Sequence, residues 1–123
     1  MKRALMLFAF LLVASCANNN IFRNDYGIDW DRKPPADFPH LKIIERLVDH
    51  KEVLFQCGTK QDSVIGCAIP NYDWMNCTIY IDKHTDVRRA EIHENAHCRG
   101  YDHHGESQIR DGWEKWKKAN GYK

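Results

Sequence analysis

The spacing of hydrophobic and polar residues predicts a first helix followed by three short strands. Hydrophobic residues recur at helical spacing after Pro39, which predicts a helix over about residues 39–51. Three β-type runs follow, at residues 53–57, 63–69 and 77–81. Because turn-forming residues separate these runs, they predict a small, partly antiparallel sheet.

The second half of the chain predicts two further helices. The first begins at Thr85 or Asp86, ends at Gly100 and carries hydrophobic residues at helical spacing: Val87, Ala90, Ile92 and Ala96. The last helix ends at Asn120 and carries Ile109, Trp113 and Trp116, of which the two tryptophans are interpreted as core packing. The predicted order of helix, three strands, helix and helix is typical of an α+β domain.

The first fifteen residues have the features of an export signal peptide. Lys2 and Arg3 give a positive start, residues 4–13 are apolar but too short for a stable membrane span, and small residues follow. Residues 13–16, VASC, resemble the bacterial lipobox, in which the cysteine becomes the lipid-modified (palmitoylated) first residue. The resemblance makes Cys16 the lipidation site; the alternative is a cleaved secretory signal followed by a structural cysteine.

The N-terminal segment also predicts where the protein is located and which residues connect the lipid to the domain. Residue 17 is Ala and not Asp, which by resemblance to Gram-negative lipoproteins implies a lipid anchor in the outer membrane, facing the periplasm. Residues 16–36 are then a lipidated N-terminus and tether, because they are polar and lack periodicity, and residues 37–123 form the domain. Docking of Tyr26, Ile28 and Trp30 on the domain surface is the open alternative for part of this tether. Without Lys2 and Arg3 the formal net charge changes from +1 to −1, which gives no basic surface for nucleic acid.

The remaining cysteines predict two disulfides, since an even number in an exported chain is typical of a disulfide framework: Cys57, Cys67, Cys77 and Cys98. A cysteine-based metal site is disfavoured, because no Cys-x-x-Cys pair is present. A strand from residue 77 and a helix ending at residue 98 would each span about 17–18 Å. A helix folded back along that strand would pair Cys77 with Cys98, leaving Cys57 for Cys67 on a neighbouring strand.

The run HENAHCRGYDH, at residues 93–103, carries the chemistry. His93 and His97 lie one helical turn apart, so both imidazoles can reach one zinc ion, while Glu94 faces a water on it. Gly100 lets the chain turn so that His103 can return as a third ligand. Three protein ligands leave a fourth position open, which is typical of catalytic zinc; the alternative is a histidine-rich turn with no metal.

The full pattern HExxHxxGxxH resembles that of the zincin metallopeptidases of metzincin type, here in a small bacterial lipoprotein form, over about residues 76–104. The resemblance implies Zn²⁺ on three histidines, Glu94 as general base, and an edge strand at residues 77–81 that holds an extended peptide. Metzincins also have a Met-turn after the third histidine, which this chain lacks. Only twenty residues follow His103, so the second wall of the cleft is either much reduced or formed by the helix of Trp113 and Trp116.

Several site assignments stay open at this stage. Asp102 is an alternative third ligand to His103, or an acceptor that orients an imidazole, and Glu106 and His104 also lie near this position in the sequence. Arg99 and Tyr101 are candidate oxyanion donors. The other histidines, which lack partners at ligand spacing, are predicted to be surface residues: His40, His50 and His84.

The sequence therefore predicts a small α+β domain with a three-stranded sheet, an N-terminal helix, a zinc-binding active-site helix and a C-terminal helix. Its predicted function is that of an exported zinc metalloendopeptidase acting on a peptide or protein substrate. A non-catalytic zinc-binding envelope lipoprotein is the main alternative, and an envelope protein with a vestigial site is another. Glu94 separates them, because metal binding alone does not need it.

Overall fold

The structure, a computed structural model, describes residues 27–122. In this part of the chain, a three-stranded mixed sheet supports the helices. The elements in chain order are β1 (Lys42–Val48), α1 (His50–Gln56), β2 (Gly66–Asn71), β3 (Asn76–Asp82), α2 (Val87–Cys98) and α3 (Gln108–Ala119). The strand order is β1-β3-β2, with β1 parallel and β2 antiparallel to β3. This arrangement confirms the predicted α+β class and partly antiparallel sheet.

The central strand β3 forms the core with α2. Its alternate residues Cys77, Ile79 and Ile81 are fully buried and belong to one hydrophobic cluster with Ala90 and Cys98 of α2. Period-two burial of this kind is the pattern of a strand that covers one helix layer. β3 is therefore not the edge strand that the family resemblance implied. Within residues 27–122 the edge strands are β1 and β2.

The first two predicted elements are wrong in type. Residues 42–48 form β1 and not a helix, and residues 53–56 lie in α1 and not in a strand. β1 pairs with β3 along its whole length, from Lys42 opposite Asn76 to Val48 opposite Asp82. Pairing with a neighbouring strand determines the secondary structure of such a segment more than its hydrophobic period does, because strand preference depends on tertiary context.

The folded part begins earlier than predicted. Ile28, in the segment predicted to be tether, is 1% exposed and forms an isolated antiparallel bridge with His103. Trp30 packs its ring against Tyr101, with centroids 5.0 Å apart. Residues 27–36 thus belong to the folded unit. The predicted signal peptide and Cys16 lie outside the described residues, and within residues 27–122 no helix is long and apolar enough to cross a membrane.

Both predicted disulfides are present. Cys77–Cys98 joins β3 to the last residue of α2, and Cys57–Cys67 joins the residue after α1 to β2. The reasoning for the second pair was wrong, because Cys57 ends a helix and does not lie on a neighbouring strand. The two bonds attach the sheet to α1 and to α2.

α3 is fixed by aromatic packing, as predicted for its tryptophans. Trp113 is fully buried and stacks on Trp116 at 5.5 Å, and Tyr72 packs against both rings. The indole nitrogens are also satisfied: Trp113 donates to Asp37 and Trp116 to Asp73. These contacts hold α3 against the β2–β3 turn, where it forms a wall beside the end of α2.

Gly100 allows the chain to leave α2 sharply. Its φ is +99°, and a Cβ there would lie 2.8 Å from Pro34 and 2.9 Å from the ring of Phe38. Only glycine meets both conditions, because other residues rarely adopt positive φ and no space exists for a side chain.

We expect Gly100→Ala to lower the free energy of unfolding by about 2 to 4 kcal/mol, from left-handed strain plus overpacking. Gly58→Ala is the matched control: Gly58 also follows a helix with positive φ, but a Cβ there would meet nothing within 4 Å. The control should lose only about 1 to 2 kcal/mol. Urea unfolding of both variants measures the difference; equal losses would show that the contact with Phe38 does not matter.

Candidate metal centre

Three histidine side chains converge at the end of α2. The Nε2 atoms lie 3.2 Å apart for His93 and His97, 3.1 Å for His97 and His103, and 3.0 Å for His93 and His103. Ligand nitrogens at about 2.0–2.1 Å from a tetrahedral zinc ion would be separated by about 3.3 Å. The triad can therefore hold one metal ion, and the structure brings together all three predicted ligands.

Neighbouring groups fix the orientation of two of the imidazoles. His97 donates from Nδ1 to the carbonyl oxygen of Tyr101 at 2.8 Å, and Nδ1 of His103 lies 3.1 Å from Glu106 Oε2. A proton on Nδ1 leaves Nε2 with a free lone pair, which is the form that binds a metal. The Nε2 atoms of His97 and His103, which lie 3.1 Å apart, can then both serve as ligands of one shared cation.

The environment of His97 also keeps its ring neutral. Burial is the main cause that lowers the pKa of His97 to about 4, and the charges of His93 and His103 lower it further. The hydrogen bond to the carbonyl of Tyr101 acts in the opposite direction. A neutral imidazole at pH 7 is ready to act as a ligand without first losing a proton.

Glu94 lies beside the triad with an unsatisfied carboxylate. Its side chain is almost fully buried, and Oε1 is 3.7 Å from His93 Nε2. Oε2 has no hydrogen-bond partner among residues 27–122. Burial raises the pKa of this carboxyl group to about 8. A buried polar group without a partner costs stability, so its retention needs a reason other than folding.

Asp102 is placed away from the metal-ligand position. Its Oδ1 accepts from Ile109 N at 2.7 Å and its Oδ2 from Arg110 N at 3.2 Å, both in the first turn of α3. The N-cap residue of that helix, Ser107, makes no side-chain cap hydrogen bond. Asp102 therefore caps α3, and it is neither grouped with the triad nor hydrogen-bonded to an imidazole.

The triad lies in a cleft of about 460 Å³ between β2 and α3. One wall contains Gly66, Ala68 and Pro70, and the other contains Ile109 and Gly112. A Cβ on Gly112 would meet nothing within 4 Å, so this part of the helix wall leaves open space. The predicted second wall is thus present, formed by α3.

The wall formed by β2 is a strand edge that no other strand among residues 27–122 pairs with. Asp82 N donates to Ile65 O at 2.9 Å, so in the antiparallel register the alternate residues Gly66, Ala68 and Pro70 direct their backbone groups away from β3. Proline, which has no N–H, is tolerated at such a position. The N–H and C=O of Ala68 are therefore turned towards the open side of the sheet.

The other candidates fall outside the cleft. The Tyr101 ring packs on Trp30, and Arg99 lines a separate depression near Pro34, so neither side chain lines the cleft of the triad. His40 and His84 are exposed as predicted, whereas His50 is half-buried and bonded through Nδ1 to Asp82 Oδ2 at 3.1 Å.

Two residues near the triad have roles that the sequence analysis did not give them. Glu106, noted there only as a neighbour of the third-ligand position, contacts Nδ1 of His103 and can orient its ring. Tyr72 lines the cleft, and burial followed by the charge of Asp102 raises its pKa to about 12, so the phenol stays protonated. Nothing in the sequence pattern around residue 72 indicates that position.

Comparison with known protein families, curated proteins and solved structures finds no match to this chain. No relative therefore indicates which ion the triad holds or what the cleft does. The side chains of the site and their geometry are the basis for both inferences.

We expect the protein to bind one divalent transition-metal ion per chain, and His93→Ala, His97→Ala or His103→Ala to abolish tight binding, because two imidazoles make a much weaker site. His104→Ala is the control, since His104 is adjacent in sequence but lies outside the triad. Metal content after dialysis measures this. Loss of binding in Asp102→Ala with retention in His103→Ala would contradict the ligand set.

Proposed function

We propose that the protein is an exported zinc metallopeptidase that cleaves extended peptide segments. The observation that carries this proposal is the buried Glu94 carboxylate, which has an oxygen without a partner among the described residues and lies beside a three-histidine site. A site that only stores zinc or stabilises the fold would gain nothing from it. Structural zinc sites also close with four protein ligands, whereas this triad offers three.

Zinc fits the donor set. Neutral imidazole nitrogens suit zinc, and the site contains no thiolate because the described cysteines are all in disulfides. When bound, zinc would act as a Lewis acid that polarises a carbonyl and lowers the pKa of water towards neutrality. The zincin-like pattern of residues 93–103 is consistent with this choice.

Glu94 supplies the proton transfer. Its position on α2, one residue after His93, places the carboxylate at the side of the triad that opens into the cleft. There it takes a proton from the attacking water and passes that proton to the leaving amine. Burial raises the pKa of Glu94 to about 8, which makes its ionised form a strong base, and a zinc ion bound to the triad would favour that ionised form.

The free edge of β2 supports a peptide as substrate. An extended chain can add to this edge through the N–H and C=O of Ala68, while the walls of the cleft contact alternate side chains. The open space beside Gly112 accommodates a side chain of the substrate. Proteins with strand edges at a reactive site use this mode because backbone hydrogen bonds tolerate different sequences.

Export to the bacterial envelope is part of the proposal. The two disulfides are consistent with an oxidising compartment outside the cytoplasm. The signal-like N-terminus and the lipobox-like Cys16 lead to an outer-membrane lipid anchor facing the periplasm.

We expect Glu94→Gln to retain zinc but to lower kcat on a cleaved peptide by about 10² to 10⁴, because the change removes the base and preserves shape. Glu114→Gln is the control, since Glu114 is exposed on α3 and pairs with Lys117. Zinc content and hydrolysis of a fluorogenic peptide library are measured together. A Glu94→Gln protein as active as the wild type would refute the mechanism.

The strand edge is tested by Ala68→Pro. The substitution removes an N–H that makes no bond to β3, so the sheet and the metal site should remain intact. Loss of one substrate hydrogen bond should lower kcat/KM for peptides by about threefold to tenfold. Ala68→Ser, which keeps the N–H, is the control. An unchanged kcat/KM in Ala68→Pro would rule out strand addition at this edge.

A further inference from the structure

We propose that residues 27–33 form an N-terminal clamp that positions the third metal ligand, so that metal affinity depends on a segment outside the sheet and helices. The inference rests on the metal site of the proposed function, but not on its peptidase activity. It concerns His103 in particular, because this ligand has the least support from regular structure.

The problem that the clamp solves is one of preorganisation. His93 and His97 are on α2, whose backbone fixes their spacing. His103 follows the turn at Gly100 and lies between α2 and α3, outside every helix and strand. Ordering such a residue at the moment of metal binding would cost conformational entropy, which lowers affinity unless other contacts order it beforehand.

Backbone pairing holds His103 from both sides. Asp29 N donates to Asp102 O at 2.9 Å, and His104 N donates to Gly27 O at 2.9 Å. These bonds flank Ile28 and His103, which lie directly opposite each other as an antiparallel bridge. The buried side chain of Ile28 anchors this pairing in the domain.

Arg32 adds a second point of attachment. Its Nη1 donates to Glu106 O at 3.1 Å and to Ser107 Oγ at 2.9 Å. Glu106 in turn contacts Nδ1 of His103 through its carboxylate. Arg32 therefore fixes the backbone that carries the orienting carboxylate, and through it the direction of the His103 ring.

The clamp is also tied to α3. Arg110 Nη2 donates to Lys33 O at 2.8 Å, and Arg110 N is one of the two groups capped by Asp102. The clamp, the His103 loop and the wall of the cleft thus form one connected set of hydrogen bonds. A change at Arg32 acts on the Glu106 side of His103 and leaves the contact of Trp30 with Tyr101, beside His97, in place, so its effect should be specific to His103.

We expect Arg32→Ala to raise the zinc dissociation constant about 10- to 100-fold, the usual effect of losing a group that orients a metal ligand. Zinc affinity is measured by chelator competition on the chain beginning at Ala17, which keeps every described residue. Arg32→Lys, which retains a cationic donor, should recover part of the affinity. Arg46→Ala, at an exposed position on β1, is the control and should leave it unchanged.

The decisive comparison is in a His103→Ala background. If the clamp acts through His103, Arg32→Ala should there change the weak residual affinity by less than about twofold, since the coupled partner is gone. The cobalt-loaded Arg32→Ala protein should also show weakened visible absorption, as the cobalt-loaded His103→Ala protein should. If Arg32→Ala lowered zinc affinity equally in the wild-type and His103→Ala proteins, or did not lower it in the wild type, the clamp would be overturned. If the protein cleaves no peptide but its zinc affinity still depends on Arg32, the peptidase proposal is refuted and the clamp remains supported.

Discussion

Convergence of three imidazole nitrogens to within about 3 Å is the constraint on which the rest of the structure depends. α2 by itself brings two of the three nitrogens together, because residues four apart lie on one face of a helix. The third nitrogen has to return from outside the helix, which requires a sharp turn and a held loop. Gly100 makes the turn, and Asp102 and Glu106 hold the loop on either side of His103. The interactions around the site are thus mostly directed at one residue.

A small domain has a small hydrophobic core, so few packing contacts are available to hold such a site in place. The core cluster consists mainly of β3 and α2, and a domain of this size buries a limited apolar area. Cys77–Cys98 compensates by joining the two elements directly, one residue after His97. A bond of this kind stabilises a domain by about 2–4 kcal/mol, mainly by restricting the unfolded chain. It also fixes the end of α2 relative to the sheet, and with it the relation of the triad to the strand edge.

The parts that could be predicted from the sequence are those with local geometric rules. Two histidines of the triad follow from helical spacing and the third from the turn at Gly100, and Cys77–Cys98 follows from the equal lengths of a strand and a helix. β1 was mistaken for a helix because Leu41, Ile44 and Val48 fit a helical face, and only pairing with β3 decides otherwise. The capping role of Asp102 and the docking of Ile28 depend on partners far away in sequence, and no period marks them.

The burial of Glu94 links stability to chemistry at this site. An unpartnered carboxylate oxygen in the protein interior destabilises the fold, and on the described residues nothing offsets that cost by pairing with it. Strand β2 passes close to Glu94: a Cβ added at Gly66 would lie 3.6 Å from Glu94 Cγ. The strand nevertheless brings no hydrogen-bond donor to the unpartnered carboxylate oxygen. The proposed role of Glu94 as general base would account for its burial, because a water at the metal site would then be the partner of this oxygen. This is the physical reason to favour catalysis over storage.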